Sequence, residues 1–348
     1  MNKALPHTIE EMETLFNNAN RRSTLFCVLT ILLAGICGYI YFTLSPSSLK
    51  TSMLVIFWII IGLWLGLSAL IIAIYPLTSK KLSLLPDEQI GNFSKAEVLE
   101  IVNEMWQNSG KKELPTIYIS ELSMVNAFAI NTLLNFYNPV NAIYITRMTF
   151  SCLTRQELIG ILYHEMAHFN KYIYFETRTM NITIYFFMLF PLSLTVLVPT
   201  LVLKGLFVIG MLSFMGYLWN KVRAVHDLEG HALEYLCDLE ASKQVGRLAM
   251  INALIVICRE NIPKEEEARK KIQKKLISKK PLIPVDWTAF DTHMVNGKIE
   301  PEEYDKLIHT LVTAETPQLL EGSENDGDSM SHPSLTNRVL FLHRNASQ

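Results

Sequence analysis

Two histidines and a glutamate in the segment His164-Glu165-Met166-Ala167-His168 are the residues whose types and spacing most directly indicate chemistry. Residues four apart lie on one face of a helix, so the imidazoles of His164 and His168 can bind one metal ion from adjacent turns. Glu165 would project beside that ion, where its carboxylate can take a proton from the attacking water. The alternative is a pair of helical histidines with no ligand role. We interpret the segment as the centre of a zinc peptidase.

The sequence before this segment indicates the helix that must carry it. Thr154 and Glu157 have the spacing of a capping box, in which each side chain bonds the backbone N–H of the other residue. The apolar run 158–162 follows directly and can pack the helix against a domain. We therefore predict a helix that begins near Thr154 and holds His164 and His168 in its third and fourth turns. Ser94 and Glu97 have the same spacing and predict a second capped helix at 94–109.

A third metal ligand is predicted from a second helix, at about 229–245. Catalytic zinc usually takes three protein ligands and leaves one position for water. Glu234 and Asp238 are four apart and share a face. Glu234 could bind the metal while Asp238 bonds a histidine ligand and fixes its tautomer. His231, one turn earlier, is the rival ligand, and spacing alone leaves the choice open.

The distribution of apolar residues predicts a membrane protein. Half of the residues are hydrophobic and only 18% are charged. The uncharged stretches 25–44 and 53–75 are each long enough to cross a bilayer. A third apolar region, 182–219, is interrupted only by Lys204 and is interpreted as two further spans, because the metal ligands before and after it must meet on one side of the membrane. We expect a mostly α membrane protein with four transmembrane helices and an α+β, zincin-like cytoplasmic metallopeptidase domain.

The predicted domains follow from these spans. They are a cytoplasmic N-terminal segment (1–24), a transmembrane hairpin (25–75), a catalytic segment with the two histidines (76–180), a second hairpin (181–220) and a second catalytic segment (221–348). Lys and Arg residues flank the spans mainly on one side, which predicts that both termini and the active site lie in the cytoplasm, at a bacterial inner membrane. The flanking residues on that side are Arg21, Arg22, Lys80, Lys81, Lys171, Arg178, Lys221 and Arg223, against Lys50 and Lys204 on the other.

Charge and cysteine content exclude two other classes of protein. The net charge is −2 and no basic array with interleaved aromatic residues is present, so no nucleic-acid partner is expected. The five cysteines are odd in number and include no Cys-x-x-Cys pair, which argues against a disulfide framework. Cys237 lies close to the proposed third ligand, and we interpret it as a buried structural cysteine instead of a metal thiolate.

Four segments of the chain together resemble the HtpX family of membrane zinc metallopeptidases, which are related to the CAAX prenyl proteases. These segments are Asn126-Ala127-Phe128-Ala129, the helix 154–168, Glu234-Tyr235-x-x-Asp238, and His332-Pro333-Ser334 with Arg338. The resemblance extends over about residues 56–342. It implies one zinc ion per chain and favours Glu234 over His231 as the third ligand. It also implies that His332 lies in the cleft as a donor to the oxyanion, with Arg338 placing it or pairing with Asp238.

A strand edge beside the catalytic helix is the predicted substrate-binding element. Short strands are predicted at 116–120, 127–130 and 141–146. A peptidase can hold an extended substrate by pairing its backbone with such an edge, and Asn126 and Ala127 are the candidates. An ordinary internal strand is an equally good interpretation of these two residues. We predict, between the second helix and His332, a charged helix at 264–276 and an acidic loop at 315–331 that could act as a lid.

The function expected from these features is a membrane-integrated zinc endopeptidase. Its substrates would be misfolded or membrane-proximal polypeptide segments at the cytoplasmic face, so membrane proteins and the bilayer are the expected partners. A site-2-type intramembrane protease is disfavoured because charged residues, including Arg155, Glu157 and Lys171, surround the histidines. A CAAX-type prenyl protease and a non-enzymatic membrane scaffold with a relic metal site remain alternatives.

Overall fold

The computed structural model describes residues 8–44, 78–109, 116–130, 142–170, 200–275, 287–313 and 333–345, with the single residues 62, 66 and 198. The chain forms two compact units. The first comprises 1–14, 76–173 and 230–348, and the second comprises 15–75 and 174–229. All candidate site residues belong to the first unit. The second unit covers the predicted ranges 25–75 and 181–220.

Short strands and helices alternate through the described part of the chain. The strands are β1 (Ser79–Lys81), β2 (Gln89–Ile90), β3 (Phe93–Ser94), β4 (Thr116–Ser120), β5 (Ala127–Ile130), β6 (Ala142–Thr146), β7 (Met294–Val295) and β8 (Lys298–Ile299). The helices are α1 (Ile9–Leu44), α2 (Lys95–Ser109), α3 (Arg147–Cys152), α4 (Arg155–Asn170), α5 (Leu201–Val245), α6 (Arg247–Lys275), α7 (Thr288–His293), α8 (Pro301–Thr313) and α9 (Leu335–Asn345).

A four-stranded sheet in the order β1-β4-β6-β5 supports the site. β4 runs parallel to β6, and β1 and β5 pair antiparallel at the two edges. Tyr144 of β6 stacks between Tyr118 and Phe128, with ring centroids 5.0 and 5.2 Å apart. Ile143 and Ile145 alternate with it and are buried in the core. These cross-strand contacts fix the register of β5 at the edge.

Capping boxes fix the beginnings of α2 and α4. At α4, the Thr154 N–H donates to Oε2 of Glu157 (2.7 Å), and the Glu157 N–H donates to the Thr154 hydroxyl (3.5 Å). Ser94 and Glu97 form the same pair at α2, over 2.7 and 3.3 Å. Both predicted capping boxes are confirmed. The buried Glu157 carboxylate also accepts from Nζ of Lys298 at 2.7 Å, which ties β8 to the beginning of α4.

A close approach at Gly160 brings α4 against the junction of α5 and α6. A Cβ atom at Gly160 would lie 3.1 Å from Val245 and 3.3 Å from Met250. Gly246 links the two helices with a φ of +85° and donates its N–H to the carbonyl of Ser242 over 2.9 Å. Glycine adopts this conformation without strain, and it ends α5 at Val245, the predicted residue.

The region between α6 and α9 contains a hairpin that the sequence did not predict. Asn296 and Gly297, with φ angles of 53° and 81°, connect β7 to β8, as the two central residues of a type I′ turn do. The Asn252 side chain of α6 holds Ile299 of β8 at both backbone groups, over 2.8 and 3.0 Å. The charged helix predicted at 264–276 is the last part of α6, and the acidic loop at 315–331 lies outside the described residues.

The helices that contain the apolar stretches correct the membrane prediction. Residues 25–44 are the second half of α1, a helix of 36 residues whose first half carries Glu10, Glu11 and Arg21. Both α1 and α5 expose large apolar side chains, such as Leu32 and Ile209. Nevertheless, no helix in the described residues is long and apolar enough to cross a membrane. The prediction of four transmembrane helices is therefore wrong for the part of the chain that the structure describes.

The prediction rested on the length of uncharged stretches, which is a necessary but not a sufficient condition for a membrane span. The stretch 205–219 likewise continues without a break into the charged part of α5. The stretch 53–75, apart from residues 62 and 66, and most of 181–199 lie outside the described residues. The predicted localisation in an inner membrane is wrong for the same part of the chain, because the charge comparison behind it counted residues on either side of those spans.

Candidate metal centre

Three side chains from two helices converge in the first unit. His164 and His168 lie on one face of α4, with their Nε2 atoms 3.3 Å apart. Glu234 of α5 faces both: its Oε2 lies 3.4 Å from Nε2 of His164, and its Oε1 lies 3.6 Å from Nε2 of His168. One ligand atom from each residue lies within 4.8 Å of the other two. The structure thus brings together the three residues predicted as metal ligands.

The charges around this cluster fit a divalent cation. Glu165, Glu234 and Asp238 are buried carboxyl groups, and Arg338 is the buried cation beside them. Three carboxylates and one guanidinium have a formal charge of −2 when the imidazoles are neutral. Buried charge is stable only when it is balanced, and a divalent metal ion would balance this one. The ligand atoms also fit a transition metal, because two imidazole nitrogens and one carboxylate form a common ligand set for such ions.

The same negative field governs the protonation of His164. Burial by itself lowers the pKa of this imidazole, but the carboxylates of Glu234 and Asp238 outweigh burial and raise the pKa to about 10. A proton on His164 therefore offsets part of this negative charge when no metal is bound. A metal ion and a proton compete for the imidazole of His164, so we expect binding of the metal to release a proton.

Asp238 connects His164 to Arg338 of α9. Its Oδ1 lies 2.8 Å from Nδ1 of His164, although the ring N–H does not point straight at that oxygen. Arg338 donates from Nε and Nη2 to the two oxygens of Asp238, each over 2.6 Å. Burial would raise the pKa of Asp238, but the guanidinium outweighs it and holds the pKa below its ordinary value. Asp238 therefore stays ionised and restrains the ring of His164 from the side opposite the cluster.

The two other candidates on α5 do not join the cluster. His231 is not part of the group of side chains that could hold a metal ion. Cys237 is fully buried, and burial, together with the nearby carboxylate of Glu234, raises the pKa of its thiol well above the ordinary value. A neutral buried thiol is a packing residue and a poor metal ligand.

The predicted substrate-binding residues lie at the beginning of β5, and α4 packs along this strand. Asn126 donates its N–H to the hydroxyls of Thr146 (3.1 Å) and Thr149 (3.0 Å), and its carbonyl accepts from the Thr146 N–H (3.0 Å). Ala127 is the first residue of β5 and pairs with Ile145. Within the described residues, β5 pairs with β6 alone and is an edge strand.

His332, the remaining predicted catalytic residue, lies outside the described residues. Sequence reasoning missed Thr146, Thr149 and Asn261, whose side chains hold the two residues that precede β5. Asn261 is 136 residues from its partner Val125, and no local pattern could have indicated such a contact.

Comparison with protein-family models gives a match to peptidase family M48 over residues 93–346, more than two thirds of the chain. The chain belongs to peptidase family M48. The membership confirms the resemblance to HtpX-type metallopeptidases and makes the chain a metallopeptidase. The matched part of this M48 peptidase includes α4, Glu234 and Arg338. A comparison with curated proteins and one with solved structures found no match.

Proposed function

We propose that this M48 peptidase is a zinc-dependent endopeptidase that hydrolyses peptide bonds in extended polypeptide segments. The observation that carries the proposal is the convergence of His164, His168 and Glu234 within 4.8 Å. Two histidines and a glutamate are a ligand set of catalytic zinc, and they leave a fourth position for water. Zinc held by these three residues would supply Lewis-acid chemistry for the scissile carbonyl and the attacking water.

Glu165 is the proposed general base. It follows His164 on α4 and is 6% exposed, so its carboxylate is largely removed from bulk water. In the proposed mechanism it takes the proton of the attacking water and passes it to the leaving amine. Asp238 and Arg338 restrain His164 without touching the substrate, and they are positioning residues.

His332 is the proposed donor to the oxyanion. Its position along the chain supports this role. Pro333 is buried, and α9 begins at Leu335 and places Arg338 on Asp238, so the chain enters the site region within two turns after His332. An imidazole that donates to the developing negative charge would stabilise the transition state.

The open edge of β5 is the proposed substrate-binding element. The carbonyl of Asn126 is bonded to Thr146 of β6, so alternate residues of the strand turn their backbone groups toward β6. Ala127 and Ala129 therefore turn their N–H and C=O groups to the open side. A substrate that pairs with these groups is bound through its backbone, so many different side chains are accepted. The preferred substrates are then unfolded or locally unfolded polypeptides, because only these present an extended backbone.

The test compares the wild type with Glu165→Gln in two assays, zinc content and cleavage of a reduced, alkylated model protein. We expect one zinc per chain in both proteins. Cleavage should fall by a factor of about 100 to 10,000 or more in the variant, because Gln cannot accept the proton. Glu100→Gln makes the same chemical change at an exposed residue of α2 and should cleave like the wild type.

Two results would contradict the proposal. If purified Glu165→Gln still cleaved the substrate, Glu165 could not be the general base. The proposed metal centre would be refuted if the folded wild type, purified without chelators, bound no zinc in a titration.

A further inference from the structure

The residue before Asn126 has a partner from a distant part of the chain. Val125 is fully buried, and its N–H donates to Oδ1 of Asn261 over 3.2 Å. Nδ2 of Asn261 donates to the carbonyl of Val125 over 2.6 Å. One carboxamide thus binds both backbone groups of one residue, as a residue of a neighbouring antiparallel strand would do.

The direction of these bonds places Asn261 on the open side of β5. Asn126 turns both its backbone groups to Thr146 of β6. Successive residues of an extended chain turn their backbone groups to opposite sides. Val125 therefore faces the same side as Ala127 and Ala129, and the Asn261 side chain lies where a paired strand would continue beyond Ala127.

We propose that Asn261 closes the open edge of β5 at Val125, so that a bound polypeptide pairs with Ala127 and Ala129 and cannot extend its pairing to Val125. The inference rests on the proposed function, because it concerns the substrate of the same site. Asn261 is then a positioning residue that sets where the paired part of the substrate ends. It determines how many substrate residues on one side of the scissile bond contribute to binding.

Substrate length is the variable that tests this role. We would measure kcat/KM for two series of unstructured peptides, lengthened one residue at a time at the N-terminus or at the C-terminus. In the wild type, the gain in kcat/KM should stop in one series once Ala127 is paired. Asn261→Ala removes the carboxamide and leaves the N–H and C=O of Val125 available. In that series, one further peptide residue should now raise the kcat/KM of Asn261→Ala about fivefold to tenfold, which is the effect of one to two backbone hydrogen bonds.

Asn252→Ala is a matched control, because Asn252 lies on the same helix α6 and holds Ile299 by the same two bonds. It should lower stability as Asn261→Ala does and leave the length profile of the wild type unchanged. An unchanged profile in Asn261→Ala, or a changed one in Asn252→Ala, would overturn the proposal.

Residue-resolved hydrogen exchange on the protein without substrate gives a second, independent readout. The Val125 amide should exchange slowly in the wild type and at least tenfold faster in Asn261→Ala, while the Ala127 amide exchanges fast in both. Slow exchange of Ala127, comparable to that of Phe128, would show a covered edge and overturn the inference. The hydrogen-exchange measurement tests the role of Asn261 separately from the proposed function. If the wild type with zinc cleaves no peptide, the proposed function fails. The exchange rates still decide whether Asn261 closes an open edge.

Discussion

Replacement of Arg338 by methionine should destabilise the metal-free protein more than any exposed substitution. Arg338 makes two hydrogen bonds of 2.6 Å with Asp238, which is 0% exposed. Methionine has a similar length and no charge, so Arg338→Met removes both hydrogen bonds and leaves the protonated His164, 2.8 Å away, to balance the buried Asp238 carboxylate. Removal of one partner of a buried ion pair costs about 3–5 kcal/mol. That is a large part of the roughly 5–15 kcal/mol that stabilises a typical domain.

A second variant separates the lost pair from lost packing. In Asp238→Asn/Arg338→Met both charges are absent, so the double variant should lose less free energy of unfolding than the sum of the two single losses. The difference should be about 1–3 kcal/mol, the range for residues in direct contact. The assay is urea unfolding, followed by circular dichroism in the presence of a chelator, for the wild type, both single variants and the double variant.

Two results would refute this reasoning. A loss below about 1 kcal/mol in Arg338→Met would mean that water or another group replaces the guanidinium. Strict additivity in the double variant would mean that the two side chains do not interact. A catalytic effect should accompany the loss of stability, because without Arg338 the pKa of Asp238 rises and a neutral Asp238 no longer restrains His164. We expect zinc affinity or kcat/KM to fall about 10-fold to 100-fold.

Two further perturbations test other parts of the structure. Gly91→Ala should cost at least about 2 kcal/mol in urea unfolding, since Gly91 has a φ of +63° and its Cβ would lie 2.5 Å from the backbone of Phe150 and Ser151. Gly230→Ala, inside α5 and with open space at its Cβ, should instead stabilise the protein by about 0.5–1 kcal/mol, and equal losses in the two variants would contradict the reasoning. In chelator, the raised pKa of His164 stabilises the fold fully below pH 6.5, and this contribution should be lost as the pH rises through about 10. With zinc bound, urea midpoints should not show this loss, and identical pH profiles with and without zinc would contradict it.

The parts of the fold that the sequence predicted well depend on local patterns. The capping residues of α2 and α4 lie three positions from their partners, and the strands 116–120 and 127–130 alternate or run apolar along a few residues. The end of α5 at Val245 follows from Gly246, whose positive φ few other residues adopt. Such features are determined by neighbours in the chain, so they can be recognised without the tertiary structure.

The contacts that complete the site are of a different kind. Arg338 is 100 residues from Asp238, and Asn261 is 136 residues from Val125. The family resemblance implied that Arg338 would pair with Asp238 or position His332, and the pairing with Asp238 depends on the packing of α9 against α5. The membrane prediction also rested on a local property, the length of an apolar stretch, which is necessary but not sufficient for a membrane span.

The relation between the cluster and the edge strand explains why both kinds of information are needed. His164, Glu165 and His168 occupy one helix, so their chemistry can be predicted from spacing alone. A peptidase must also hold its substrate beside that helix, and the surface that we propose for this role is a backbone edge whose residues, Ala127 and Ala129, have side chains with no reactive group. The position of this backbone edge depends on the order of strands in the sheet, and we infer that Asn261 determines where the edge ends. Substitution of Ala127 by another small residue keeps these backbone groups and should therefore change kcat/KM less than substitution of Asn261.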